Sequence, residues 1–310
     1  MIVVFIISMM INEVISYGIF FNLIDNIFGF YVTGDTSNPI PFQVSHIPYS
    51  TYVAFTILLS LYKILFIKGK SFYVNLITII FVITMILNLF LSTGRTGQFT
   101  IVMTIFSLLI VYQRTNVRNI LISLILMIFI ILVEYNIGNS FQKRVIEGVN
   151  DITKIYQNND FNSSIGVRFG SYILLPKFLN DTNIIIGTGI GDIQDFVIER
   201  TKNYFGQNSI FSEQKGILHS TILEILITYG ITGFLIFILI FYSLFKIKLY
   251  KKELIYIRYI LVFFIIYSGM SANMFTFKEF MFLYAIFISV IIKEELENKQ
   301  KIKDTSSNTS

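Results

Sequence analysis

Three side chains in this sequence have the chemistry to hold an anionic group and move a proton. Arg95 sits in LSTGRTGQ, a tight connection between two apolar runs. An arginine at the edge of a membrane core is costly unless it is paired, hydrated or in contact with an anion, and its planar fork of donors matches a phosphate bidentately. Gly94 and Gly97 flank it and allow another group close to the backbone. The position equally suits an arginine that anchors the helix end, with its stem along the apolar surface and its head in water. Arg168 lies in SSIGVRFGSYILLPKFL (163–179), where apolar residues recur at helical spacing and Ser163 or Ser164 is placed to cap a helix. Taken alone, Arg168 reads as part of a solvated helix face. His219 opens the run HSTILEILITYGITGFLIFILI; the chain's two histidines, His46 and His219, each begin an apolar run. Hydrogen bonding at a membrane–water boundary is the plainer role for His219. Its side chain is also the natural general base near neutral pH, and burial beside arginines would lower its pKa and keep it able to accept a proton.

The carboxylates offer less. Glu13 and Glu224 fall within apolar runs, and an acid there is a functional candidate by default. On a continuous helix Glu224 would lie about 140° around from His219, which does not make it an orienting partner. Asp192 and Asp195 follow Gly187, Gly189 and Gly191 in GTGIGDIQD. That glycine spacing lacks the strand–helix context of a dinucleotide fingerprint, and no zinc-ligand spacing, P-loop or nucleophile elbow is present.

The elements that must position these residues follow from composition. Of the residues 54% are hydrophobic and 14% charged, with a mean hydropathy of +0.70, against about 25% charged in an ordinary soluble domain. The expected fold is an all-α polytopic membrane protein with about eight transmembrane helices, each needing roughly 20 apolar residues, and one large, partly helical loop on the outer face. Candidate spans lie near 2–23, 47–67, 72–92, 97–113, 118–134, 218–245, 255–273 and 277–292. The first lacks a basic n-region and a cleavage site and reads as a retained span. This divides the chain into membrane helices over 1–134, the loop over 135–217, further membrane helices over 218–292 and a tail over 293–310. With no cysteine, redox compartment is not legible.

Charge orients the bundle. One set of connections holds Lys63, Lys68, Lys70, Arg114, Arg118, Lys246, Lys248, Lys251, Lys252 and Arg258, while the opposite set holds only Arg95 and Lys278. That asymmetry predicts cytoplasmic termini and a large loop on the outer face. The net charge of +5 therefore reports topology, and no nucleic-acid partner is expected. The mixed-charge tail predicts disorder. A loop as long as 135–217 is usually functional. No internal repeat is found, which argues against a transporter of duplicated halves.

His219-Ser220, followed after nine residues by Gly230 and after two more by Gly233, resembles the histidine motif of the O-antigen ligase family. LSTGRTGQ resembles that family's arginine turn. The resemblance extends to the loop with an arginine in an amphipathic stretch, to IIIGTGIGD near the loop's end and to the spans that follow, covering about 47–290. Members usually carry several more spans ahead of where this chain begins. The resemblance implies a glycosyltransferase of the bacterial inner membrane. It would move a glycan from undecaprenyl diphosphate to a sugar hydroxyl of lipid A-core at the periplasmic face, in contact with membrane lipids. His219 would be the catalytic base, and Arg95 and Arg168 would hold the diphosphate, with no cofactor and no metal. An O-antigen polymerase of the same family is the nearest alternative. A polysaccharide transporter or flippase, which would show broken helices and several intramembrane charges, and a non-catalytic scaffold are the remaining ones.

Overall fold

The computed structural model describes residues 2–27, 30–31, 34–41, 45–66, 71–113, 121, 139–205 and 218–307. Ten α-helices appear among them: α1 (Ile2–Phe20), α2 (His46–Phe66), α3 (Phe72–Leu91), α4 (Arg95–Gln113), α5 (Asn139–Asn158), α6 (Ser164–Asn180), α7 (Ile193–Phe205), α8 (Thr221–Lys246), α9 (Lys252–Ser271) and α10 (Lys278–Ser307). A 3-10 turn covers Met274–Thr276, and Asn26–Ile27 pairs with Phe30–Tyr31 in a minimal antiparallel hairpin. The protein is thus all-helical in architecture, as expected. Five of the described helices, α1, α3, α4 (to Tyr112), α8 and α9, are long and apolar enough to cross a membrane. The expected spans 47–67 and 277–292 correspond to α2 and the first half of α10. The expected span 118–134, except for residue 121, lies outside the described residues, as do Lys68, Lys70, Arg114, Arg118 and residues 206–217 of the loop.

The chain forms two compact units. The first comprises Met1–Ile120, Phe245–Ser268 and Phe277–Ser310. Its centre is α2, where Val53, Ala54, Phe55, Ile57 and Leu58 are buried. Phe55 meets Phe264 edge-on at 5.4 Å and Phe287 at 4.9 Å between ring centroids, a geometry aromatic pairs favour. On α3, Phe81, Val82, Met85, Asn88 and Leu89 are buried, while Ile77, Ile80, Ile83 and Leu87 face outward. A helix that is apolar on its exposed face as well as its buried one suits lipid rather than water.

The tail departs from expectation, because α10 continues through Ser307. Buried Glu294 accepts a hydrogen bond from the backbone N–H of Lys251 at 3.2 Å and sits 3.5 Å from its Nζ. Beyond it, Lys293–Glu297 (3.8 Å) and Glu295–Lys299 (2.8 Å) pair one turn apart. Mixed charge at this spacing supports a helix instead of dissolving it.

The second unit comprises Leu121–Leu244 and Gly269–Thr276. Its core joins Leu174 and Phe178 of α6, Ile193 and Val197 of α7, and Leu218, Leu223 and Ile227 around the start of α8. Within α8, Gly230 has φ 63° and ψ −163°, so the helix is broken there. A continuous helix would bond the N–H of Ile231 to the carbonyl of Ile227 and the N–H of Thr232 to that of Thr228. The loop 184–189 takes all four partners instead. Thr188 N–H donates to Ile227 O (2.9 Å) and Gly189 N–H to Thr228 O (2.9 Å), while Ile231 N–H donates to Ile184 O (2.9 Å) and Thr232 N–H to Ile185 O (3.2 Å). Broken helices in an apolar setting persist only where such freed groups are paired again. Gly187, at φ 74°, completes the clip: a Cβ there would meet Thr228 O at 2.4 Å, and one on Gly230 would meet Ile185 O at 2.4 Å.

Candidate functional site

Arg168 and His219 fall in the second unit and Arg95 in the first. The helix bearing Arg168 begins as its sequence dictates. Ser163 caps α6, its side chain accepting from Gly166 N–H at 3.0 Å. Arg168 and Tyr172, one turn apart, therefore share a face. His219 lies in a bend between buried Leu218 and buried Ser220, and α8 starts only at Thr221. Ser220 is the cap, its Oγ accepting from Leu223 N–H at 3.4 Å.

Four consecutive carbonyls tie these elements together. Ser220 Oγ donates to Gly269 O (3.1 Å), Tyr172 OH to Met270 O (3.0 Å) and Arg168 Nε to Ser271 O (2.8 Å). Thr221 reaches Ala272 O with both its N–H (3.3 Å) and its Oγ1 (3.2 Å). Tyr172 OH also lies 3.1 Å from Ser220 Oγ, and Met274 N–H donates to Thr221 Oγ1 at 2.8 Å. The carbonyls at the end of a helix lack intrahelical partners, and here side chains from α6 and the start of α8 supply them. The guanidinium of Arg168 and the backbone beside His219 are thereby fixed on one short segment.

His219 is half-buried. Burial first, and the charge of Arg168 second, lower its pKa from the ordinary 6.5 to about 4. The imidazole is therefore neutral at physiological pH, the state in which it can take a proton.

Glu224 takes a different place from the one the sequence predicts. Since α8 starts after His219, the angle around a continuous helix does not relate the two. The carboxylate Oε2 accepts from Asn273 Nδ2 on the carbonyl-bearing segment. The segment SGMSANMFT (268–276) escaped the sequence reading. Its signal is a small and polar interruption where an apolar run ends.

Arg95 opens α4, its N–H donating to Thr93 O at 3.0 Å. Thr93 N–H donates to Asn38 Oδ1 at 2.8 Å. The glycines beside Arg95 admit α2 of the same chain: a Cβ on Gly94 would meet Ser50 Oγ at 2.1 Å, and one on Gly97 would meet Ser50 O at 2.3 Å. They serve helix packing, as small residues do in membrane bundles. Among the other acids, Asp192 and Asp195 are exposed, Asp195 in the first turn of α7, where a negative charge suits the helix N-terminus. Glu13 is buried in α1.

The sequence model of a family described as O-antigen ligase matches residues 80–238. The chain belongs to the O-antigen ligase family. No curated protein matches it. The matched stretch contains Arg95, Arg168, His219, both glycines of the α8 clip and the loop between them. The carbonyl segment at 269–272 lies beyond it. Membership of the O-antigen ligase family, with five of the described helices apolar enough to span, makes this a membrane protein of glycosyltransferase-like type.

Proposed function

We propose that this O-antigen ligase family member transfers a glycan from undecaprenyl diphosphate to a sugar hydroxyl of lipid A-core at the periplasmic face of the inner membrane. The observation that carries the reading is a half-buried imidazole, His219, that lies within reach of the charge of Arg168, while one run of carbonyls holds that guanidinium and Ser220, the residue next to His219. In the proposed step His219 takes the proton of the acceptor hydroxyl as its oxygen attacks the anomeric carbon. The bond from that carbon to the diphosphate breaks, and its electron pair leaves on the diphosphate oxygen. Arg168 and Arg95 meet the developing charge, where preorganised donors act most strongly. Arg95 stands at the N-terminus of α4, whose dipole also favours an anion. By itself the charge of Arg168 weakens the base, because it repels a proton on His219. A diphosphate arriving at Arg168 offsets that charge and strengthens the base only when the donor is in place. Single displacement of this kind inverts the anomeric centre; a product with retained configuration would refute it.

The positive-inside distribution supports the periplasmic placement. The break in α8 is a feature that a transporter would also show, but here the chain's own loop fills it, which supports the transferase reading. The test is a lipopolysaccharide gel of a deletion strain complemented with wild type or His219→Ala, with membrane abundance matched. A ligase leaves core without polymer and accumulates long lipid-linked glycan, and only wild type restores the ladder. Single repeat units on the core would instead identify a polymerase. An unchanged ladder, in a strain with no second enzyme for the step, would refute both.

A further inference from the structure

Helix α5 is amphipathic, but its apolar stripe is not what joins it to the protein. Val145, Val149, Ile152 and Tyr156 recur at helical period, and the last three are 57%, 53% and 89% exposed. Lys143, Glu147, Asn150 and Lys154, also exposed, occupy the opposite face. A separate strip makes the internal contact. Gly148 faces Ile165, whose side chain would lie 3.3 Å from an added Cβ, and Ile155 packs against Phe161 and Val167. The stripe and the packing strip are thus different faces of one helix.

We propose that α5 lies along the membrane surface with this stripe set into the lipid. The expected span at 118–134 would bring it there. The apolar run 120–133 ends five residues before Asn139, and five or six residues of extended chain reach at most about 20 Å. An apolar stripe held so close to a bilayer, with charges of both signs on its other face, fits a helix lying in the interface plane about 5–10 Å into the headgroup and acyl boundary. Tyr156, apolar in body and polar at its tip, suits that depth. The contact from Ile155 to Val167 then carries this depth to the neighbouring Arg168, which would sit at the level of lipid phosphates. That consequence rests on the diphosphate reading; the docking of α5 does not.

The chain contains no cysteine, so single-cysteine spin labels report without a background. Val145→Cys, Val149→Cys, Ile152→Cys and Tyr156→Cys on the stripe are compared with Asn150→Cys and Lys154→Cys in the full-length protein. The protein is reconstituted in phosphatidylethanolamine–phosphatidylglycerol vesicles, using variants that keep the wild-type melting temperature. The expected result is that stripe labels collide freely with oxygen and several-fold less with a water-soluble nickel chelate than labels at 150 and 154. Equal nickel access on both faces would overturn the proposal. Shielding of the stripe from both reagents would overturn it too, because a second copy or another protein would then cover the stripe. None of these outcomes depends on glycan transfer, so docking and transfer fail separately.

Discussion

Replacing Gly230 with alanine tests whether the clip between loop 184–189 and the broken α8 holds the site together. At φ 63° and ψ −163° the backbone occupies a region that glycine alone populates readily, and a side chain there costs about 1–3 kcal/mol. The new Cβ would also lie 2.4 Å from Ile185 O, a backbone atom, so the clip must open or α8 must straighten. Either way some of the four cross-bonds are lost, at about 1–3 kcal/mol for each buried group left unpaired. Strain plus a single stranded group gives about 2–6 kcal/mol. Straightening recovers only about 1 kcal/mol of helix propensity. Hydrogen exchange on the full-length protein in nanodiscs reads this directly: the amides of Thr188, Gly189, Ile231 and Thr232 should lose protection. The clip joins the loop that follows α6 to the helix that follows His219, so displacing it should slow transfer, by about 10²-fold if the displacement approaches 1 Å. Gly187→Ala should do the same, since its Cβ would meet Thr228 O at 2.4 Å. The double variant should cost little more than either single one, because both open the same contact. Wild-type protection at these amides in Gly230→Ala would refute the reasoning.

Further predictions concern the site itself. With the His219 pKa lowered to about 4, the acid limb of kcat/KM should fall near pH 4 rather than 6.5, and the limb of kcat should lie higher because the bound diphosphate offsets Arg168. His219→Gln should remove this limb along with about 10²–10⁴-fold of the rate. The same shift contributes stability that is present above pH 6.5 and is lost as pH falls toward 4, since only the unfolded chain binds the proton in that window; the melting temperature of His219→Gln should depend less on pH there. Arg168→Gln should weaken donor binding and also move the acid limb upward, because Arg168 helps to lower the His219 pKa; a limb left in place would show that burial alone sets it. Tyr172→Phe removes a hydroxyl bonded to Met270 O and set against Ser220 Oγ; the expected loss is about 0.5–1.5 kcal/mol of stability, measured by thermal unfolding, with reduced kcat at unchanged abundance.

The helical, lipid-facing character of this chain is written in its composition and in runs of apolar residues about as long as a bilayer is thick, because those are local properties. The cap at Ser163 was legible for the same reason, since a serine ahead of a helical pattern satisfies the first free N–H groups wherever the helix later packs. The candidate chemistry of Arg95 and His219 was legible because charge and a titratable ring are conspicuous beside apolar runs, whereas Arg168 alone read as a solvated helix face and stood out only through the family resemblance. The extension of α10 was not, since its anchor, Lys251 to Glu294, joins residues far apart in sequence. Nor could sequence assign the glycines. Gly94 and Gly97 look available to a ligand until Ser50 is seen against them, and Gly187 and Gly230 look like separate turns until the backbone of Ile227 and Thr228 is seen against the first and that of Ile185 and Ile186 against the second. The segment Gly269–Ala272 carries no conspicuous side chain at all. Its part is played by carbonyls, which every residue possesses, so only the tertiary structure could show that these four receive Ser220, Tyr172, Arg168 and Thr221.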